Sequence, residues 1–155
     1  IHHRFELGLR PTMLPEELWG KAFIAYCTSG GRIINMGGAW KNDRLCTQTR
    51  TFGDYCIMAD TIPPTIEPVA FSENMRGRRS LSFAIDDNLP TGGLAQSLHY
   101  RATVDGRWIL METDSKTNRI THYFDDRISP GKHQLRLEVT DAMGNTTLFE
   151  GTFLR

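Results

Sequence analysis

Histidines, carboxylates and tryptophans are the side chains through which this sequence could do chemistry, and the spacing of each group decides which chemistry. His2-His3-Arg4-Phe5-Glu6 approaches the H-x-H pattern in which two histidines on one strand face hold a zinc ion. Adjacent histidines point to opposite faces of a strand, and Arg4 puts a cation where the second ligand would stand. A third ligand and a catalytic base have no candidates before them, so no zinc is expected here. His99, His122 and His133 fall on three separate strand-like stretches. His122 shares the inward parity of Ile120 and Phe124, which suits a hydrogen-bonded core histidine better than a ligand. Asp86-Asp87 and Asp125-Asp126, with Asp105, Asp114 and Asp141, lie near strand ends. Such oxygens could bind calcium, but their spacing fits no calcium loop, and loop aspartates commonly cap their own turns. Trp19, Trp40 and Trp108 each stand beside a turn or strand end, where tryptophan either closes a core or stacks on a sugar ring. Trp40 and Trp108 are the carbohydrate-binding candidates. No Ser/His/Asp ordering, nucleophile elbow or phosphate-binding glycine loop is present. The expectation is a chain with no catalytic residue, no metal and no cofactor of its own.

Composition narrows the partners. The 155 residues carry 18 acidic and 18 basic side chains, a balance that argues against a nucleic-acid binder, which needs a basic face. Arg76, Arg78 and Arg79 beside Gly77 read as a solvated turn. No stretch approaches the ~20 apolar residues that span a bilayer, so no membrane insertion is expected. The chain opens at Ile1 inside an apparent strand, as an excised or processed piece would. Three cysteines, Cys27, Cys46 and Cys56, cannot close a disulfide framework among themselves. Buried free thiols are expected, with one Cys27–Cys56 cross-strand bridge left open.

The elements that must position these groups are strands. Only Pro15 to Gly20 reads as a helical turn, with Pro and acids at its start and Gly at its end. Elsewhere the hydrophobic period is two. The expected fold class is all-β, in two consecutive antiparallel modules. The first, residues 1–60, has strands at Phe5 to Arg10, Lys21 to Cys27, Arg32 to Met36, Arg44 to Arg50 and Asp54 to Ala59. A Pro-rich linker at 61–65 follows, since Pro63 and Pro64 remove two backbone donors. The second module, residues 66–155, has seven strands and suits an immunoglobulin- or fibronectin-type sandwich. They run Ile66 to Phe71, Ser80 to Asp86, Ser97 to Val104, Arg107 to Glu112, Arg119 to Phe124, Lys132 to Thr140 and Thr146 to Leu154. Asp105-Gly106 is a type I′ hairpin signal. Leu81, Phe83 and Ile85, then Leu98, Tyr100, Ala102 and Val104, then Leu135, Leu137 and Val139, and Phe149 with Phe153 form the expected core.

Several segments taken in order carry a resemblance. They are His3 to Leu18, ending in Pro15-Glu-Glu-Leu, and Thr51-Phe-Gly-Asp-Tyr55 leading to Ala59-Asp-Thr-Ile-Pro-Pro-Thr-Ile66. Val104-Asp-Gly-Arg-Trp-Ile-Leu-Met-Glu112 and Gly131-Lys-His-Gln-Leu135 to Val139-Thr-Asp-Ala-Met-Gly-Asn-Thr146 complete the series. It resembles the C-terminal, non-catalytic tail of lysostaphin-type zinc peptidoglycan endopeptidases from Bacteroidetes. That resemblance implies a catalytic zinc domain upstream, export to the periplasm or outer membrane, and an accessory role toward a cell-wall component or envelope protein. It also implies an O-glycan acceptor at Thr61, within Asp60-Thr61-Ile62. A carbohydrate-binding module and a structural spacer or adhesin repeat are the alternatives, and homo-oligomerisation stays open.

Overall fold

The computed structural model describes residues 3–93, 95–114 and 116–155. His2 lies outside them, and His3 is exposed and precedes the first strand. The chain is all-β, with antiparallel sheets throughout, and divides into two units.

The first unit comprises Ile1–Ile62 with Asn88–Ser97 and Asp141–Asn145. Its strands are β1 (Phe5–Leu9), β2 (Ala22–Cys27), β3 (Ile33–Asn35), β4 (Ala39–Lys41), β5 (Arg44–Thr49) and β6 (Asp54–Ala59). They form two three-stranded sheets, ordered β1-β5-β4 and β3-β2-β6. Ala22 and Ile24 of β2 and Leu45 of β5 are its buried centre, ringed by Leu7, Leu9, Leu14, Trp40, Tyr55 and Ile57. A 3-10 turn, Glu16–Lys21, feeds β2. Pro15 opens it because its missing N–H is one the turn could not use, and Glu16 and Glu17 sit in its first turn. β4 has no counterpart among the expected strands: three residues between Gly37-Gly38 and Asn42-Asp43 are too few to show a period. Asn42, with φ 55°, makes the tight return from β4 to β5.

Backbone pairing brings distant segments into this unit. Asn35 N–H donates to Pro90 O and Gly92 N–H to Asn35 O, both at 2.8 Å. Lys21 Nζ donates to Met143 O at 2.9 Å. Buried Asn145 donates through Nδ2 to Asp60 O at 3.0 Å and to Asp141 Oδ2 at 2.7 Å.

The second unit comprises Pro63–Asp87, Leu98–Thr140 and Thr146–Arg155. Its strands are β7 (Thr65–Ala70), β8 (Ser80–Asp86), β9 (His99–Val104), β10 (Arg107–Ile109), β11 (Glu112–Asp114), β12 (Arg119–Tyr123), β13 (Lys132–Thr140) and β14 (Thr146–Leu154). One sheet is ordered β11-β12-β8-β7 and the other β10-β9-β13-β14. With β7 as strand A, these orders are D-E-B-A and C′-C-F-G, the immunoglobulin-type sandwich. Pro68 is tolerated because β7 is an edge strand, and the register slips between Pro68 and Ala70. The core is the alternating set read from the sequence: Leu81, Phe83, Leu135, Leu137, Val139 and Phe153 are fully buried. Tyr100 and Phe149 pack against it half-buried.

Seven expected strands become eight among the described residues because the segment Arg107 to Glu112 changes sheets. Ile109 pairs with Ala102 of β9, whereas Glu112 pairs with Thr121 of β12. Inward parity continues through Ile109 and Met111, both buried, so alternation alone cannot reveal the change of partner. Two of the cysteines depart from the expected burial, Cys27 being half-buried and Cys56 exposed. All three are free, but Cys56 is exposed, because Tyr55 and Ile57 are the β6 residues that turn to the core.

Candidate functional site

The second unit carries an open groove of about 970 Å³ where β10 and β11 part. Trp108, Leu110 and Tyr123 present apolar surface to it, and each is more than half exposed. Their placement follows from the strands. Asp105 and Gly106, with φ 51° and 77°, make the two-residue turn that returns β9 into β10. That register sends Ile109 inward and Trp108 outward, opposite Thr103. Leu110 stands two residues after Trp108 and shares its outward parity. Tyr123 faces outward at the end of β12, between buried His122 and half-buried Phe124.

Hydrogen bonds hold this rim. His122 is buried, and its Nδ1–H donates to Leu110 O at 2.9 Å, fixing the chain where it passes between sheets. Tyr100 hydroxyl donates to Met111 O at 3.3 Å and also meets Thr113 Oγ1. The far wall, Asp125 to Ser129, is anchored by buried Ile128 and by Arg155, whose guanidinium donates to Asp125 O and Ile128 O. Asp125 caps its own turn by accepting Arg127 N–H at 3.0 Å.

One charged pair underlies the groove. His133 Nδ1 lies 2.7 Å from Asp105 Oδ2, and Nε2 lies 2.7 Å from Ser129 O. Both ring nitrogens face oxygen acceptors, so only the doubly protonated ring satisfies both. The Asp105 bond, with help from Ser129 and against the cost of burial, raises the His133 pKa above its ordinary value. The Gln134 N–H and then His133 lower that of Asp105. By contrast, Glu112 and Asp126 line the groove with no side-chain partner among the described residues. Aromatic faces flanked by free carboxylates can stack on the C–H face of a sugar while accepting its hydroxyls.

The remaining sequence candidates lie elsewhere. Trp40 belongs to the first unit and is half-buried, its ring stacked on Trp19 at 4.7 Å and its Nε1–H donating to Trp19 O at 3.2 Å. Thr61 is exposed after Asp60, whose Oδ1 accepts the Ile62 N–H at 3.0 Å across it. Arg76, Arg78 and Arg79 are exposed around a turn. Asp114, Asp125 and Asp141 each accept the backbone N–H two residues on, the turn-capping use of loop aspartates, whereas Asp105 accepts that of Gln134 on β13.

Residues 1–60 match the Zu5-like domain family. The matched segment holds β1 to β6, and every residue lining the groove lies after it. No curated protein matches the chain.

Sequence reasoning singled out Trp108 but not Leu110, Tyr123 or the Asp105–His133 pair. A signal for the first was present: Trp108-Ile-Leu-Met111 is apolar at outward as well as inward positions. Tyr123 comes beside them only through the pairing of β12 with β11.

Proposed function

We propose that this chain is a non-catalytic binding portion of an exported cell-envelope protein, and that the groove over Trp108 and Tyr123 holds a glycan. The observation that carries the reading is the outward cluster of Trp108 on β10, Leu110 after it and Tyr123 on β12, beside Glu112 and Asp126, carboxylates with no side-chain partner among the described residues. A soluble sandwich gains nothing by exposing two aromatic rings, whereas a sugar ring would cover them. On this reading, glycan binding positions a peptidoglycan hydrolase whose catalytic groups lie outside this chain, in keeping with the lysostaphin-type resemblance. Thr61, exposed, is the acceptor assigned to an O-glycan, which the intact mass of the chain from its native host would reveal.

Titration of the full chain with soluble glycan strands released from peptidoglycan tests the reading through tryptophan emission. Saturable binding is expected. A sugar covering ~70 Å² of Trp108 stabilises the complex by ~1.8 kcal/mol, so Trp108→Ala should weaken binding by ~20-fold. Trp40→Ala should leave the affinity unchanged, because that ring is already occupied by Trp19. Absence of saturable binding, or equal affinity in Trp108→Ala, would rule the groove out.

A further inference from the structure

Cys27 and Cys56 stand on neighbouring strands of the first unit with their sulfurs 4.0 Å apart. In the β2–β6 register, Ala25 pairs with Cys56 and Cys27 with Asp54, so the cysteines are diagonal neighbours on one face of the sheet. Cys56 is exposed and Cys27 half-buried. Cys46 is buried on β5 of the other sheet, with its thiol directed to Arg44 O. One solvent-reachable thiol therefore has one thiol neighbour.

We propose that Cys27 and Cys56 form a reversible intramolecular disulfide, closed by exchange with a low-molecular-weight disulfide such as oxidised glutathione. The exposed Cys56 loses its proton, and its thiolate attacks one sulfur of the oxidant. The oxidant's S–S bond breaks, a protein–glutathione bond forms, and one glutathione thiolate leaves and takes up a proton. The Cys27 thiolate then attacks the Cys56 sulfur, closes the protein disulfide and expels the second glutathione. Two protein thiols are oxidised, one small disulfide is reduced to two thiols, and the two protons pass to the leaving groups.

Exposure makes this bond reversible. The sulfurs must close from 4.0 Å to about 2.05 Å, which rotation at the two Cβ atoms begins. The bond would lie on the edge strand β6 with Cys56 exposed, and exposed disulfides are the readily reduced ones. The pair is thus a redox-responsive clip on an edge strand.

The test uses the full chain, reduced, exposed to oxidised glutathione and quenched with an alkylating reagent. Before alkylation the mass should fall by about 2 Da, and mapping should link the Cys27 and Cys56 peptides. Mild dithiol treatment should restore both thiols. Cys27→Ser should trap glutathione on Cys56, and Cys46→Ser should close the bond as the parent does. The proposal is overturned if glutathione accumulates on Cys56 in the parent, if Cys46 appears in the linked peptide, or if all three thiols stay open to alkylation. Circular dichroism of each variant confirms that the sheets are intact.

Discussion

Replacing Asp105 by asparagine removes one negative charge from beneath the groove while keeping the shape of its turn. Asparagine tolerates the φ of 51° and can still accept the Gln134 N–H, which Asp105 Oδ1 receives at 2.9 Å. What disappears is the charge-assisted bond to His133. Bonds of that kind contribute ~1.5–3 kcal/mol, and since the Asp105 side chain is half exposed the expected loss is discounted to ~1–2 kcal/mol. The sign of the pH dependence follows from the two shifts. His133 is raised in the folded chain, so its contribution is complete below about 6.5 and fades as pH rises through the folded value. Asp105 is lowered, so its contribution is complete above about 3.8 and fades as pH falls through the folded value. The pair should therefore stabilise the second unit most between about 3.8 and about 6.5. Urea unfolding followed by circular dichroism at pH 5.5 and pH 8.5 reads this directly. Asp105→Asn should lower the midpoint at the acid value and approach the parent at the alkaline one. Parallel pH dependence in parent and variant would refute the argument that Asp105 holds His133 protonated.

Two further substitutions probe the frames around the sites. Phe153→Ala, at a fully buried ring beside Phe71, Phe124 and His133, should cost ~3–5 kcal/mol and lower the urea midpoint of the second unit. Asn145→Ala should cost ~2–3 kcal/mol, because it strips a buried donor from both Asp60 O and the Asp141 carboxylate, and faster amide exchange around Asp60 should report it.

The sandwich was legible in the sequence because its strands alternate cleanly. Along β13, Leu135, Leu137 and Val139 are buried while Gln134 and Arg136 are exposed. The hairpin at Asp105-Gly106 was legible for a different reason: few dipeptides supply two consecutive positive φ values. Sheet membership was not, because alternation reports which face a residue occupies and not which strand lies beside it. That is why Arg107 to Glu112 read as one strand, and why Tyr123 could not be set beside Trp108. The first unit was harder still. Its segments Asn88–Ser97 and Asp141–Asn145 join through backbone and side-chain bonds such as Asn35 N–H to Pro90 O, for which local sequence offers no signature. The outward turn of Cys56 is hidden in the sequence because Tyr55-Cys-Ile-Met58 is apolar on both parities.

The change of sheets at Leu110 is what gives the sandwich edge its groove. A strand that stayed with β9 would have continued that sheet's edge. By crossing to β12 it leaves a concave step, and the residues at the step are fixed from both sides by His122 on Leu110 O and Tyr100 on Met111 O. Aromatic rings carried on backbone held in this way lose little freedom when a ligand covers them, so more of the contact energy remains as affinity. Their composition argues the same way. The outward positions of β13 nearby are polar, and Leu148 is an exposed apolar residue of the scattered kind any surface shows. At the step, Trp108 of β10, Leu110 of the link to β11 and Tyr123 of β12 are apolar together, beside two carboxylates with no side-chain partner among the described residues. A surface under no demand except solubility would place residues such as Gln134 and Arg136 there as well.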